Sequence, residues 1–185
     1  MKKLSAVRRR MQGMAVLVCA AAAAQSVTPV TTFDANKMTG TWYEAARLPN
    51  DAEKHCATSA TELVALADKP RQLQLVDTCR VEKGYLDTRN LTAKADRKTQ
   101  DGAYRITTLW PFHRDYWWLY VSPDAEWTLV GSRNRKNLWI FSRTPALDAA
   151  ALAEAKSRAA GMGFAVEKLH LVTQKTLPDT TSKIE

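Results

Sequence analysis

"MTGTWYEAARLP" occupies Met38–Pro49. It sets Gly40, Trp42 and Tyr43 at the head of a short segment that reads as a strand. Period-two alternation puts Trp42, Glu44 and Ala46 on one face of that strand. A tryptophan here is either an ordinary core aromatic or the plug at one end of a closed sheet. Which it is depends on how many strands follow and on what meets Trp42.

Many strands follow. "SATELVALADKPRQLQLVDTCR" (59–80) reads as two strands around "ADKP", because Asp68, Lys69 and Pro70 form turns and proline fits badly inside a strand. Next come "GYLDTRNLTAKA", "AYRITTLW", "YWWLYVS", "WTLVGSR" and "LWIFSR". Each is short, rich in aromatic or β-branched residues, and bounded by turn formers or charge. With the opening segment they make eight strands, the signature of a sandwich or barrel.

One helix is expected. Asp148 is its N-cap, Leu147 and Leu152 its hydrophobic staple, and "AAALAEAKSRAAG" its body, with Gly161 and Gly163 as the stop. The apolar side is narrow (Leu152, Ala155, Ala159), which suits a helix lying on the outside of a sheet. "FAVEKLHLVTQK" (164–175) reads as a ninth strand. The fold class is therefore all-β: an eight-stranded antiparallel up-and-down barrel, one C-terminal helix packed outside, and a short ninth strand. Closure removes the exposed edges and leaves an interior wide enough for one small ligand.

The N-terminus is read apart from the fold. "MKKLSAVRRR" carries five basic residues and no acid, and an apolar run of about a dozen residues follows, too short to span a bilayer comfortably. Ala22 and Ala24 form a small-x-small cleavage site, so residues 1–24 read as a signal peptide. Residues 25–175 are the barrel domain and the polar 176–185 a flexible tail. The chain has 27 basic and 19 acidic residues, net +8. Without the leader 22 basic residues face the same 19 acids, a net +3, so the surface reads as mixed and nucleic acid is a poor candidate partner.

Cys19 lies in the leader, and its rival role is as the acceptor for lipoprotein anchoring. The expected place is the periplasm, with an outer-membrane lipoprotein anchored through Cys19 as the alternative. The mature chain keeps Cys56 and Cys79. If Ala67 and Asp68 flank the hairpin centre, the two cysteines oppose each other on adjacent strands, close enough for a disulfide. Export favours the bond, and two free core thiols are the alternative.

These residues resemble the lipocalin family, and its bacterial branch closely. "GTWYEAARLP" is similar to the first signature, Gly-x-Trp on the first strand. "LWPFHRDYWWLYVSPD" resembles the sixth-strand region of the bacterial branch, and "LWIFSRTP" the third signature, an arginine ending the eighth strand. Order and spacing agree from about Phe33 to Gln174. One departure is "SPDAEW" where many lipocalins have Thr-Asp-Tyr. The resemblance implies that Gly40, Trp42 and Arg143 close the barrel floor, with the guanidinium over the indole face. It also implies inward faces: Tyr104, Ile106 and Thr108 on the fifth strand, Tyr116, Trp118 and Tyr120 on the sixth, Thr128 and Val130 on the seventh, Trp139 and Phe141 on the eighth. On the first hairpin, Ala60, Leu75 and Asp77 share a face with the cysteines.

The expected function is binding, storage or transport of a lipid-like small molecule, a fatty acid or lysophospholipid. Its chain would lie among Trp118, Trp139, Phe141, Leu75 and Ile106, with Asp77, Tyr116 or Tyr120 at the head group. An ionised Asp77 would repel a fatty carboxylate, which favours a zwitterionic head or a protonated acid. An envelope interaction protein with a filled barrel is the alternative, and a barrel enzyme a third. No nucleophile elbow, phosphate loop or Cys-x-x-Cys occurs, and His55, His113 and His170 lack metal-ligand spacing. Glu44 has no second catalytic group, so the chain reads as a non-enzyme without metal or cofactor. Membrane association and a homodimer stay open as partner states.

Overall fold

The computed structural model describes residues 25–96, 101–109 and 111–175. The expected signal peptide, Cys19 and tail lie outside them. After a single-turn helix α1 (Ala35–Met38) come the strands β1 (Gly40–Arg47), β2 (Cys56–Leu66), β3 (Gln72–Val81), β4 (Leu86–Ala95), β5 (Ala103–Leu109), β6 (Phe112–Val121), β7 (Trp127–Gly131) and β8 (Leu138–Ser142). Each pairs antiparallel with the next, and β1 pairs with both β2 and β8, which closes the barrel.

The helix α2 (Ala149–Gly161) follows. Asp148 Oδ1 accepts from the amides of Ala150 and Ala151 at 2.8 and 3.2 Å, satisfying two of the donors that a helix start leaves free. Ala155 and Ala159 are fully buried against the outer faces of the strands, with Trp117, Leu119, Leu129, Ile140 and Phe164. Alanines at the contact let the helix lie close to the wall.

The ninth strand is much shorter than the sequence suggests. Val166–Lys168 form a 3-10 turn, and only His170–Leu171 (β9) pair, with Arg47 and Ala46. The reason lies in β1. Its pairing with β2 ends at Tyr43, so only its last residues offer a free edge.

Bulges change which side chains face inward. The β1–β8 register shifts between Glu44 and Ala46, which turns Ala46 to the outer core and brings Arg47 inward. The β6–β7 register shifts between Trp118 and Tyr120. Tyr120 therefore stacks outside on Trp127 (centroids 4.8 Å apart) and under the Arg158 guanidinium of α2 (3.9 Å). Simple alternation puts both Ala46 and Tyr120 inside, and an extra residue in one strand reverses that.

The floor of the barrel rests on Trp42. Its Nε1 donates to Met38 O at 2.8 Å, and Arg143 lies 3.6 Å above its ring. Arg143 also donates from Nη2 to Lys37 O (2.6 Å) and from Nη1 to Thr41 O (3.2 Å). Gly40 sits at φ +98°, and a Cβ there would stand 3.3 Å from the Arg143 guanidinium. The positive φ favours glycine, and a Cβ would press on the guanidinium. Above the floor Phe33, Tyr104, Trp118 and Tyr116 pack ring against ring at 4.6–5.5 Å. Val64, Leu73 and Leu75, each buried, pack with them. Trp118 belongs to this packed floor, well below the mouth.

Cys56 and Cys79 are bonded, with Cα atoms 5.5 Å apart. The register that places them differs from the expected one. Leu66 pairs with Leu73, so the turn centres on Lys69 and Pro70, with Arg71 at φ +61°. Two shifts beside Ser59 (φ +54°) then bring Cys56 opposite Val81, diagonal to Cys79.

Candidate functional site

Above the packed floor the barrel encloses a cavity of about 230 Å³. That is small for a ligand site, since typical pockets are roughly 300–1,000 Å³. Its apolar wall is Ala60, Leu91, Ile106, Trp139 and Phe141, with the disulfide toward the mouth. Its polar wall is heavier than the sequence suggests: Glu44, Glu53, Glu62, Asp77, Arg89, Arg114 and Tyr116.

The polar side chains come from successive strands and from the β1–β2 loop. The bulge in β1 turns Arg47 back to Glu44, with Nη1 donating to Oε1 at 2.7 Å. Arg47 Nη2 donates to the carbonyls of Cys56 (2.9 Å) and Glu53 (3.3 Å), tying the loop to the barrel top. Glu53 Oε2 accepts from Trp139 Nε1 at 2.9 Å and from Asn50 Nδ2 at 2.6 Å. On β4, Arg89 Nη2 lies 3.2 Å from Asp77 Oδ2 and 3.6 Å from Glu53 Oε1.

Glu62 sits deepest. Its strand partners are Trp42 on one side and Asp77 on the other. The Tyr116 hydroxyl donates to Glu62 Oε1. Among the described residues Glu44, Glu53 and Asp77 have guanidinium partners, and Glu62 has none.

Burial sets the protonation of this group. Loss of water raises Glu44 to about 8, the Glu53 charge adds to it, and Arg47 opposes. Glu62 is raised well above the ordinary carboxylate range, first by burial and then by Asp77. Burial raises Asp77 to about 6 against the pull of Arg89. Tyr116 is also raised, by burial and by Glu62 beneath its hydroxyl. Carboxyls held this way stay neutral where exposed ones ionise.

Of the ligand residues expected from sequence, Ala60, Asp77, Ile106, Tyr116, Trp139 and Phe141 line this cavity. Leu75, Trp118 and Val130 lie lower, in the packed floor. Thr128 is buried and donates to Tyr120 O at 2.6 Å. Tyr120 faces the outer wall, and the Thr108 side chain lies outside the described residues. Glu44 faces in as expected. Sequence reading missed Arg47, Glu53, Glu62, Arg89 and Arg114. Glu62 had a signal, because it follows inward-facing Ala60 by two residues.

The histidines stand apart. His113 falls on β6 against Thr107 (3.1 Å). His55 pairs with Asp87 at 2.8 Å near the mouth. His55, Cys56 and Cys79 cluster within 4.8 Å, but the disulfide takes both thiolates and leaves one nitrogen, too few donors for a metal.

Comparison with known proteins agrees with this architecture. The family model described as "Lipocalin-like domain" matches residues 33–174. Temperature-induced lipocalin-1 of Arabidopsis thaliana is 26% identical over 147 residues, 75% of this chain and 78% of that protein. Outer membrane lipoprotein Blc of Citrobacter freundii is 29% identical over 156 residues, 81% and 84% of the two chains. Among solved structures, the allergen Per a 4 from cockroaches superposes with a TM-score of 0.65 at 19% identity, covering 83% of this chain and 96% of that one. Fold, floor and family match coincide: the chain belongs to the lipocalin-like domain family.

Proposed function

We propose that the protein binds a single-chain lipophilic ligand, a fatty acid or lysophospholipid, inside the barrel and stores or carries it in the cell envelope. The observation that carries this reading is the cavity, walled by Trp139, Phe141, Ile106 and Leu91 above a sealed floor. Each methylene buried there contributes about 0.8 kcal/mol. At about 230 Å³ the space suits part of one chain and not two. The envelope location is supported by the leader-like N-terminus and by relatives that are outer membrane lipoproteins. Those relatives also support membrane association.

The packed lower half favours a second reading, a filled barrel that works through surface contacts. The test is extraction of the exported, purified protein with organic solvent and mass spectrometry of the extract. A stoichiometric fatty acid or lysophospholipid supports the carrier. An empty extract, with no change in tryptophan fluorescence on adding lysolipid, moves the account to the filled barrel.

A further inference from the structure

The deepest polar group of the cavity is a carboxyl without a counter-ion. Glu62 is 4% exposed and lines the cavity, yet among the described residues no Lys, Arg or His pairs with it. It accepts from the Tyr116 hydroxyl and shares a hydrogen bond with the carboxyl of Asp77, its partner on β3. Every neighbouring acid has a guanidinium: Arg47 serves Glu44, and Arg89 serves Asp77 and Glu53. Two facing carboxyls are tolerated only if a proton sits between them, which the raised affinity of both for protons reflects.

The surroundings point to what would replace that proton. Tyr116 and Trp139, with ring centroids 6.1 Å apart, line the same cavity. Aromatic faces beside a buried carboxylate are the recurrent composition of sites for ammonium groups. A carboxylate placed at this depth would instead face Glu62 and Asp77, while Arg89 and Arg114 line the same cavity beside Asp77.

We infer that Glu62, backed by Asp77 and the Tyr116 ring, is the counter-ion for an ammonium head, so the ligand is a cationic or zwitterionic amphiphile that enters head first. This rests on the carrier reading above and narrows its ligand. Head-first entry also accounts for the mouth. The cavity is too small for a long tail, and Tyr85, Leu86 and Phe112 stand 60%, 45% and 67% exposed in the β3–β4 turn and at the starts of β4 and β6, at the end opposite the Trp42 floor. A tail leaving the cavity would lie against them.

The test is a matched pair of probes below their micelle concentrations, dodecylammonium and dodecanoate, titrated into the purified mature protein at pH 7.5 by calorimetry. Dodecylammonium should bind at least about tenfold tighter. Glu62→Gln, which keeps shape and hydrogen bonding, should bring the ratio near one, and Asp77→Asn should lower it less. Dodecanoate binding as well as the amine, or a ratio unmoved by Glu62→Gln, overturns the counter-ion while leaving a lipid carrier standing. Failure of both probes to bind overturns the carrier reading and this inference with it.

Discussion

Replacing Arg143 by methionine isolates what closes the barrel. Methionine keeps much of the apolar stem and removes the guanidinium. The loss has three parts. The cation–π contact to Trp42 at 3.6 Å is partly exposed, so its worth is about 0.5–1 kcal/mol. The hydrogen bonds to Lys37 O and Thr41 O lie at the surface, and each is worth about 0.5–1 kcal/mol there. Together these give about 1.5–3 kcal/mol. A urea slope of roughly 2 kcal/mol/M turns that into a midpoint lowered by about 0.7–1.5 M. Equilibrium unfolding followed by circular dichroism reads it, and Arg143→Lys should recover part of the charge effect without the two-carbonyl fork. An unchanged midpoint for Arg143→Met would refute the idea that this arginine holds the floor.

Three further outcomes follow from the same structure. Cys56→Ala with Cys79→Ala opens a loop of sequence separation 23, which should cost about 3 kcal/mol by chain entropy; an unchanged unfolding midpoint would contradict it. Glu44, Glu62 and Asp77 all hold protons more tightly when folded, so the native state carries the excess protons above about pH 4 and stability falls as pH rises, through about 6 for Asp77 and about 8 for Glu44. Urea midpoints should be lower at pH 8.5 than at 5.5, with Glu44→Gln flattening the trend; a rise with pH would refute the buried-acid account. Ala159→Leu should overpack the α2 contact by about 1–3 kcal/mol, seen as a lower Tm, and a raised Tm would mean that the contact has room.

Strand order and the helix cap were legible because each depends on local signals, namely alternation, turn residues and a capping aspartate, whereas the Trp42–Arg143 floor was legible only through the family resemblance. The inward faces were legible only between bulges. Trp139 and Phe141 on straight β8 fall where alternation puts them, whereas Ala46 and Tyr120 do not. A bulge answers the curvature of the closed sheet, and nothing in "YEAAR" or "WWLYV" marks the extra residue. The charged ring was missed for a different reason. Arg47 ends β1, and Glu53 sits in the β1–β2 loop. Their burial comes from the β1–β2 loop folding back over Trp139, a tertiary event. Glu62 was within reach, since alternation from Ala60 alone carries it inside.

The carrier reading puts a lipid chain inside the barrel beside Trp139. A single-chain amphiphile brominated on the carbons nearest its head group quenches only tryptophans that this part of the chain touches, so its titration tests the claim directly. Quenching should be strong in the wild type, be largely lost in Trp139→Phe, and persist in Trp127→Phe, whose ring lies in the outer core. Quenching that survives Trp139→Phe and disappears with Trp127→Phe would place the lipid on the outer wall and contradict the account.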